Sequence, residues 1–268
     1  REPLHPGTLG LRRYLVRTCI DRCSRAVIAI SRFDAAPLVQ GEKLHVVYNF
    51  VDFERFDRRL DGRAFRGALG LPLERPIVLM LGGLIAIKGS DVFVEAAALV
   101  RRRHPDIVFV IAGQPPRGES PSPIKRTLRR LLEETGFVAN MERRVLALIR
   151  RHGLEGTVLF TGMRTDVPDM LAACDVLAWP ATVGHFARPI IEAGAMARPV
   201  IASDFPSSRE IVIEGKTGLL APPGDPAALA GAILRLIEGP VEARRMGEAA
   251  YELARERYDA RRNAAAIV

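Results

Sequence analysis

The sequence predicts an α/β fold, in which a doubly wound parallel sheet is preceded by the remnant of a second domain. Two observations predict the sheet. From residue 76 onward, short apolar runs alternate with longer amphipathic segments, which is typical of consecutive βαβ units. The first run, 76–83, is apolar at consecutive positions rather than at alternate ones, which indicates a parallel strand buried on both faces.

The elements of this region follow one another in regular order. Strands are expected at 76–83, 106–113, 156–162, 175–181, 198–204 and 217–223. Helices are expected at 88–103, 166–173, 188–197, 206–213 and 225–237. Because crossovers between parallel strands are right-handed, each loop that follows a strand and each helix N-terminus should lie at the carboxyl edge of the sheet.

Residues 114–153 interrupt this alternation. A loop rich in proline, serine and glycine precedes two amphipathic helices, the second near 141–152. The first helix carries an apolar stripe of Ile124, Leu128, Leu131 and Leu132. Residues 117–153 hold nine Lys and Arg residues against four Asp and Glu residues. These helices are interpreted either as solvated covers of the sheet or as a contact with an anionic membrane surface.

The N-terminal region has a different pattern. A helix is expected at 13–24, a strand at 26–31 and a second strand at 43–52. So few elements cannot bury their own apolar faces. We therefore predict that residues 1–50 are the end of another domain and its linker, and that residues 51–268 form the main domain. Since the sequence begins at Arg1 and not at Met, we interpret it as part of a longer chain.

Composition excludes several classes of protein. A hydrophobic fraction of 48% is enough for a core, and no apolar run reaches the roughly 18 residues of a membrane span. The net charge of +8 is interpreted either as attraction to an anionic partner or as basic residues on solvated helix faces, and 6% aromatic residues give little support to nucleic-acid binding. Cys19, Cys23 and Cys174 complete no metal site, and we predict no metal, no nucleic acid and a cytoplasmic location.

The segment GGLIAIKG, at 82–89, is the first candidate for binding chemistry. It joins a strand end to a helix start, where free backbone N–H groups favour anions. Lys88 adds an ammonium suited to a diphosphate, whose charge grows as a glycosidic bond to it breaks. The segment has neither a GK[ST] loop nor GxGxxG spacing, so P-loop and dinucleotide sites are disfavoured. The alternative is a surface lysine at a helix start.

Glu192 is the second candidate. It lies in the helix after strand 175–181, and a carboxylate can accept two hydrogen bonds from the cis-diol of a ribose. The alternative is a charge that complements the helix dipole. His185 and Arg188, in the preceding loop, either touch a sugar or phosphate or lie in water. Asp204, at the end of the next strand, is a candidate N-cap for the helix expected from Pro206.

These positions, in this order, resemble the donor domain of the retaining glycosyltransferases with the GT-B fold, known as group 1 or family 4. The resemblance runs from about Asp21 to Ala254. It is carried by five segments: KLHVVYNFVDFERF, GGLIAIKGSDVFVEAAALV, VLFTGMRTDVPDMLAACDVLAWPA, HFARPIIEAGAMARPVIASD and DFPSSREIVIEGKTGLLAPPGDPAALAGAI. The implied fold is a Rossmann-like donor domain that faces a second, acceptor-binding domain across a cleft.

The resemblance also implies a function. The protein would transfer a sugar, with retention, from a nucleoside diphosphate sugar of UDP or GDP type to a saccharide or lipid-linked glycan, without a metal or further cofactor. Polysaccharide or glycolipid synthesis, in the cytoplasm or peripherally on the inner face of the membrane, is the common setting. The isolated chain would lack one wall of the cleft and would not transfer sugar.

The resemblance assigns roles to individual residues. Lys88 and Glu192 are the implied catalytic residues, on the diphosphate and the ribose. The implied donor-binding residues around them are the phosphate-loop residues Gly82 and Gly83, the base-contacting backbone of Met163 and Arg164, and the sugar-facing loop of Gly184, His185, Phe186, Ala187 and Arg188.

Two positions depart from the family pattern. Gly83 stands where the family usually has an arginine, and Gly184 stands where it usually has a glutamate, eight residues before Glu192. His185 and Arg188 are candidates to replace the missing sugar contact and cation. The departures leave open a non-catalytic relative that binds a nucleotide sugar or acts as a scaffold. An epimerase would need acid and base carboxylates that the sequence does not indicate.

Overall fold

The structure is a computed structural model that describes residues 18–19, 22–36, 42–113 and 141–265. Its N-terminal part contains two short parallel strands, β1 (Val27–Ala29) and β2 (Leu44–Val46), with helix α1 (Arg32–Ala35) between them. Strand 43–52 was predicted too long, because the pairing stops at Val46. The helix expected at 124–132 lies outside the described residues, and so does most of the helix expected at 13–24.

The main sheet has six parallel strands, as predicted. They are β3 (Ile77–Leu81), β4 (Val108–Ala112), β5 (Val158–Gly162), β6 (Val176–Trp179), β7 (Val200–Ser203) and β8 (Gly218–Ala221). The order across the sheet is β5-β4-β3-β6-β7-β8. From β3, the next two strands in the chain are added on one side and β6, β7 and β8 on the other. The order in which strands are added therefore reverses between β3 and β6, which pair directly through Val78 and Val176. In doubly wound sheets, ligands bind at the carboxyl ends of the strands beside such a switch point.

Helices cover both faces of the sheet. They are α2 (Arg63–Ala68), α3 (Ser90–Arg101), α4 (Met141–His152), α5 (Val167–Ala173), α6 (Arg188–Ala195), α7 (Pro206–Arg209), α8 (Pro226–Glu238), α9 (Pro240–Arg257) and α10 (Ala260–Ala265). Helices α3, α4 and α8 lie on one face, while α5, α6 and α9 lie on the other. Among the helices of the described ranges, none combines the length and apolar character needed to cross a bilayer.

Strand β3 shows how the sequence builds the two cores. Its alternate residues point to opposite faces, as in any strand. Ile77, Leu79 and Leu81 pack into the core beneath α5 and α6, whereas Val78 and Met80 pack into the core beneath α3 and α8. All five residues are buried, so the continuous apolar run is explained by burial on both faces.

Backbone hydrogen bonds connect the first residue of the predicted main domain to the C-terminal helices. Val51 donates its N–H to the carbonyl of Tyr258 at 2.8 Å, and Ala260 donates to the carbonyl of Val51 at 3.1 Å. The predicted division between residues 50 and 51 therefore falls next to a residue that packs in the core of the main sheet. The division itself stays a prediction.

Two predicted helices have different limits. The helix expected at 88–103 begins at Ser90, after a 3₁₀ turn at Ala86–Lys88, because Gly89 has a left-handed backbone (φ 72°). A Cβ atom on Gly89 would lie 1.9 Å from the carbonyl oxygen of Pro180, so only glycine fits there. The helix expected at 206–213 ends at Arg209.

Candidate functional site

The loop after β3 folds over the end of the neighbouring strand β4. The backbone N–H groups of Gly82 and Gly83 both donate to the carbonyl of Ala112, at 2.9 and 3.0 Å. Both glycines have positive φ angles, 126° and 66°, which side chains rarely adopt. A Cβ on Gly82 would lie 3.3 Å from Cγ of Lys88, so the glycine leaves room for the lysine stem. The loop thus directs Lys88 toward β6.

Lys88 is held by two uncharged rings. Its Nζ lies 2.8 Å from Nε2 of His185 and 4.5 Å from the centroid of Trp179, the last residue of β6. Burial of the side chain lowers the pKa of Lys88 from its usual value. The contact over the indole face is a cation–π interaction. Within the described part of the chain, no carboxylate forms an ion pair with Lys88, so its positive charge is available to an anionic ligand.

The loop after β6 fixes the His185 ring. Its Nδ1 lies 2.8 Å from the carbonyl oxygen of Val183, and its ring centroid lies 5.6 Å from that of Trp179. Burial lowers the pKa of His185, since the backbone contact to Val183 raises it by less and the Lys88 charge lowers it further. His185 is therefore a neutral partner of Lys88, and no sequence pattern predicted this pairing.

Glu192 lies on the second turn of α6 with a side chain only 9% exposed. Burial raises its pKa above the usual value, and the charges of Arg188 and Arg55 offset part of this effect. Arg188, one helical turn earlier, donates from Nε to Oε1 of Glu192 at 2.9 Å. Because the Arg188 side chain is 66% exposed, it can move aside when a ligand needs the carboxylate.

The other predicted donor-binding residues differ in accessibility. Phe186 and Ala187 are buried, and the Phe186 ring packs 6.0 Å from that of Tyr48. They therefore offer only backbone to a ligand. Met163 is 78% exposed, and Arg164 forms an ion pair with Asp166 at 2.5 Å.

Asp204 and Gly184 both lie beside the start of α7. Asp204 does not cap α7, whose N-cap is Phe205 without a side-chain hydrogen bond; its carboxylate pairs instead with Arg209 at 2.6 Å. Gly184 packs against the Phe205 ring, and a Cβ on it would lie 3.2 Å from ring carbons. A glutamate at this position would require Phe205 to shift.

Two further residues of the site were missed from the sequence. The indole ring of Trp179 packs against the Lys88 ammonium. Trp179 is the last residue of β6, and its position at the carboxyl edge of the sheet could have indicated a role in the site. Arg55 donates to the carbonyl of Thr165 at 3.0 Å and is close enough to Glu192 to lower its pKa. Arg55 comes from the segment before the sheet, so no local motif could connect it to this edge.

In residues 18–19, 22–36, 42–113 and 141–265, no group of three or more His, Cys, Asp or Glu side chains is arranged to hold a metal ion. The charged groups at the switch point are a lysine on one strand's loop and a carboxylate on the next strand's helix. This pair suits an anion joined to a polyol.

Comparison with known proteins identifies the family. The model of the glycosyl transferases group 1 matches residues 61–253. The chain belongs to the group 1 glycosyl transferases. Its predicted GT-B fold is confirmed by solved structures: it aligns with HepE from Anabaena, crystallised with UDP and glucose, at 25% identity and a TM-score of 0.82, covering 99% of this chain and 68% of HepE.

Other relatives give the same result. The sucrose-phosphate synthase of Thermosynechococcus elongatus aligns at 25% identity with a TM-score of 0.78, covering 97% of this chain and 60% of that structure. The D-inositol 3-phosphate glycosyltransferase of Mycobacterium leprae is 32% identical over 89% of this chain and 49% of its own length. The alpha-D-kanosaminyltransferase of Streptomyces kanamyceticus is 31% identical over 69% of this chain and 42% of its length. The chain thus spans less than half of these two glycosyltransferases.

Proposed function

We propose that this chain is the donor-binding part of a family 4 glycosyltransferase that transfers a sugar with retention of anomeric configuration. The donor is a nucleoside diphosphate sugar of UDP or GDP type. HepE is a structural neighbour whose crystal structures contain UDP, glucose and UDP-glucose, and its likeness to this chain supports that donor class. The observation that carries the proposal is the Lys88 ammonium at the switch point of the sheet, which pairs with no carboxylate in the described ranges.

Lys88 is proposed to bind the diphosphate. Negative charge grows on a diphosphate as its bond to the sugar breaks, so a fixed cation binds the transition state more strongly than the ground state. Among the described residues, the contacts of Lys88 with His185 and Trp179 leave its positive charge without a carboxylate partner, so that charge is available to the diphosphate. Burial strengthens the interaction because the local dielectric constant is lower than that of water.

Glu192 is proposed to accept hydrogen bonds from the ribose hydroxyls. It follows β6, while Lys88 follows β3, and these neighbouring strands end at the same edge of the sheet. A ribose and its diphosphate are joined directly, so the two roles require two groups at adjacent strand ends. Arg188 would exchange its contact with Glu192 for solvent when the ribose binds.

The remaining predicted contacts complete the donor site. Backbone at Met163 and Arg164 is proposed to meet the nucleobase, beside the Thr165 carbonyl that Arg55 holds. The loop from Gly184 to Arg188 is proposed to face the donor sugar, and Gly82 and Gly83 to shape the approach of the diphosphate.

The rest of the proposal concerns the whole protein. Residues 1–50 are proposed to belong to an acceptor-binding domain and its linker, facing the donor site across a cleft. The acceptor is a saccharide or a lipid-linked glycan, in polysaccharide or glycolipid synthesis. We place the protein in the cytoplasm, with peripheral attachment to the inner face of the membrane; basic residues in the last turn of α4 support such a contact.

A second candidate is a relative that binds a nucleotide sugar without turnover. Gly83 and Gly184 favour it, because they remove an arginine and a glutamate from the pattern of the family. The close contact between Gly184 and Phe205 shows that the local packing has no room for the glutamate without rearrangement. Turnover of a donor by the longest protein that the gene encodes separates the two candidates.

Calorimetry with this chain tests the shared part of both candidates. UDP, GDP, ADP, UDP-glucose and GDP-mannose are titrated at pH 8, with circular dichroism to establish that the protein is folded. We expect one nucleoside diphosphate and its sugar to bind with a dissociation constant below the millimolar range. If the folded chain binds none of the five at millimolar concentration, the proposed function is wrong.

A further inference from the structure

We propose that His185 is the positioning residue of Lys88, and that its protonation switches donor binding off. The inference rests on the proposed function, since it assumes that Lys88 binds the diphosphate. It concerns a position one residue beyond Gly184, where this sequence departs from its family.

The hydrogen bonds around His185 determine its tautomer. The carbonyl oxygen of Val183 can only accept, so Nδ1, 2.8 Å away, carries the proton and donates. In a neutral imidazole the other nitrogen is then an acceptor. Nε2 lies 2.8 Å from Nζ of Lys88, which can only donate. The pair therefore fits one state: a neutral Nδ1–H imidazole that accepts a hydrogen bond from an ammonium.

Protonation of Nε2 destroys this arrangement. Two N–H donors would then face each other at 2.8 Å, and two positive charges would meet in a partly buried site. The backbone contact at Nδ1 resists rotation of the ring, so Lys88 is the group that must move. It would leave the Trp179 face as well, because both contacts depend on the same position of Nζ.

The surroundings of His185 favour the neutral form. Burial lowers its pKa, and the neighbouring Lys88 charge lowers it further. The backbone contact to Val183 and the carboxylate of Asp34, on α1, act in the opposite direction. Asp34 is itself held by Ser31 Oγ at 2.6 Å. The net shift is downward from 6.5, so His185 is neutral near pH 8 and becomes protonated as the pH falls below its lowered pKa.

A neutral partner has a chemical advantage here. A carboxylate next to Lys88 would neutralise the ammonium and compete with an incoming diphosphate. A neutral acceptor orients the same ammonium and leaves its charge intact. His185 thus supplies orientation without compensation.

The first experiment needs no nucleotide. NMR of the imidazole nitrogens of the full chain, titrated from pH 8.5 to pH 5, should show the Nδ1–H tautomer for His185 and a pKa below the usual 6.5 of a histidine. Lys88→Met should raise the His185 pKa, because it removes a nearby positive charge. An Nε2–H tautomer, or a pKa that does not respond to Lys88→Met, would overturn the proposed pairing.

The second experiment measures binding of UDP-glucose from pH 8.5 to pH 5. UDP-glucose is used because both of its phosphates are esterified. UDP has a terminal phosphate, with a pKa of about 6, that would titrate in this range. If only the neutral form binds, the apparent dissociation constant rises about tenfold for each pH unit below the pKa of His185. His185→Gln, whose amide oxygen accepts at every pH, should recover binding and lose this dependence, and His185→Ala should bind weakly throughout.

His152→Gln, on the exposed end of α4, is the matched control and should keep the wild-type pH profile. Affinity that is constant with pH, or that increases in acid because protonated His185 contacts the diphosphate, would overturn the switch but not the proposed function. Absence of binding of both UDP-glucose and GDP-mannose at every pH would remove the proposed function and the switch together, while the NMR titration would still decide the Lys88–His185 pairing.

Discussion

Glu192 is buried and Lys88 is half-buried, and the protein compensates their charges differently. Among the residues that the structure describes, Lys88 contacts two uncharged rings, those of His185 and Trp179. Glu192 has a fully charged partner, the guanidinium of Arg188, at 2.9 Å. A buried charge without a counter-charge costs free energy, so a protein keeps it where a ligand supplies the missing charge. The comparison therefore indicates an anion at Lys88 and an uncharged, hydroxyl-bearing group at Glu192.

The burial of Lys88 and Glu192 also affects the stability of the fold. Burial lowers the pKa of Lys88 and raises that of Glu192. A carboxyl whose pKa is raised in the folded state binds more protons folded than unfolded, so its contribution to stability is present below the usual 4.5 and is lost as the pH rises. At neutral pH, the ionised Glu192 carboxylate in its buried position therefore lowers the free energy of unfolding.

The largest effect is expected from Lys88→Met, which keeps the stem and removes the charge. The affinity for UDP should fall about 10- to 100-fold, the usual value of a hydrogen bond to a charged group. The thermal midpoint should not fall, because the buried charge is a cost in the free protein. Calorimetry at pH 8 and a melting curve measure the two quantities.

Lys216→Met, at an exposed lysine after α7, is the control for general loss of positive charge. It should leave the affinity for UDP within about twofold, since an exposed charge is screened by solvent and salt. Equal losses of affinity for UDP in the two variants would mean that Lys88 attracts UDP only through the net charge of the protein. Lys88 would then not be a specific anion-binding group.

The sequence predicted the sheet and both charged residues, for a physical reason. Strands buried on two faces have a continuous apolar pattern, and loops after parallel strands meet at one edge, so Lys88 and Glu192 could be assigned to that edge without coordinates. Their positions after neighbouring strands needed the strand order, in which β3 pairs with β6. Chain order alone separates these strands by β4 and β5.

The partners of the two charged residues were not predicted. Arg188 was a candidate for the diphosphate, but in the folded chain it contacts Glu192, four residues later on the same helix face. His185 was a candidate for the sugar, but its Nε2 contacts Lys88, 97 residues away in sequence. The i,i+4 spacing of Arg188 and Glu192 was an available signal for their pairing. The pairing of Lys88 with His185 depends on long-range packing, such as that of Gly89 against Pro180, which leaves no periodic pattern in a sequence.

A smaller effect is expected from Glu192→Gln, which keeps one acceptor oxygen and removes the charge. The affinity for UDP should fall about tenfold, near the lower limit for a charged hydrogen bond. The sharper measurement compares UDP with 2′-deoxy-UDP. Wild-type protein should bind the deoxynucleotide more weakly, whereas Glu192→Gln should discriminate little between the two, because the hydroxyl has lost its carboxylate partner.

The same variant tests the stability argument. Glu192→Gln should raise the free energy of unfolding at pH 8 relative to wild type, and the gain should shrink toward pH 4, where the wild-type carboxyl is protonated. Glu256→Gln, on an exposed residue of α9, should show neither effect. Undiminished discrimination against 2′-deoxy-UDP in Glu192→Gln would place the ribose elsewhere.

The smallest effect is expected from Arg188→Met. The Arg188 side chain is 66% exposed, and exposed ion pairs contribute little, so the affinity for UDP at pH 8 should change by less than about fivefold. Arg188 lowers the pKa of Glu192, so its removal should raise that pKa and make the binding of UDP-glucose, which has no terminal phosphate to titrate, weaken sooner as the pH is lowered. Calorimetry at pH 8 and pH 6 tests both, with exposed Arg151→Met as the control. If Arg188→Met loses as much affinity as Lys88→Met, then Arg188 leaves Glu192 for the diphosphate, and the two sides of the site do not act separately.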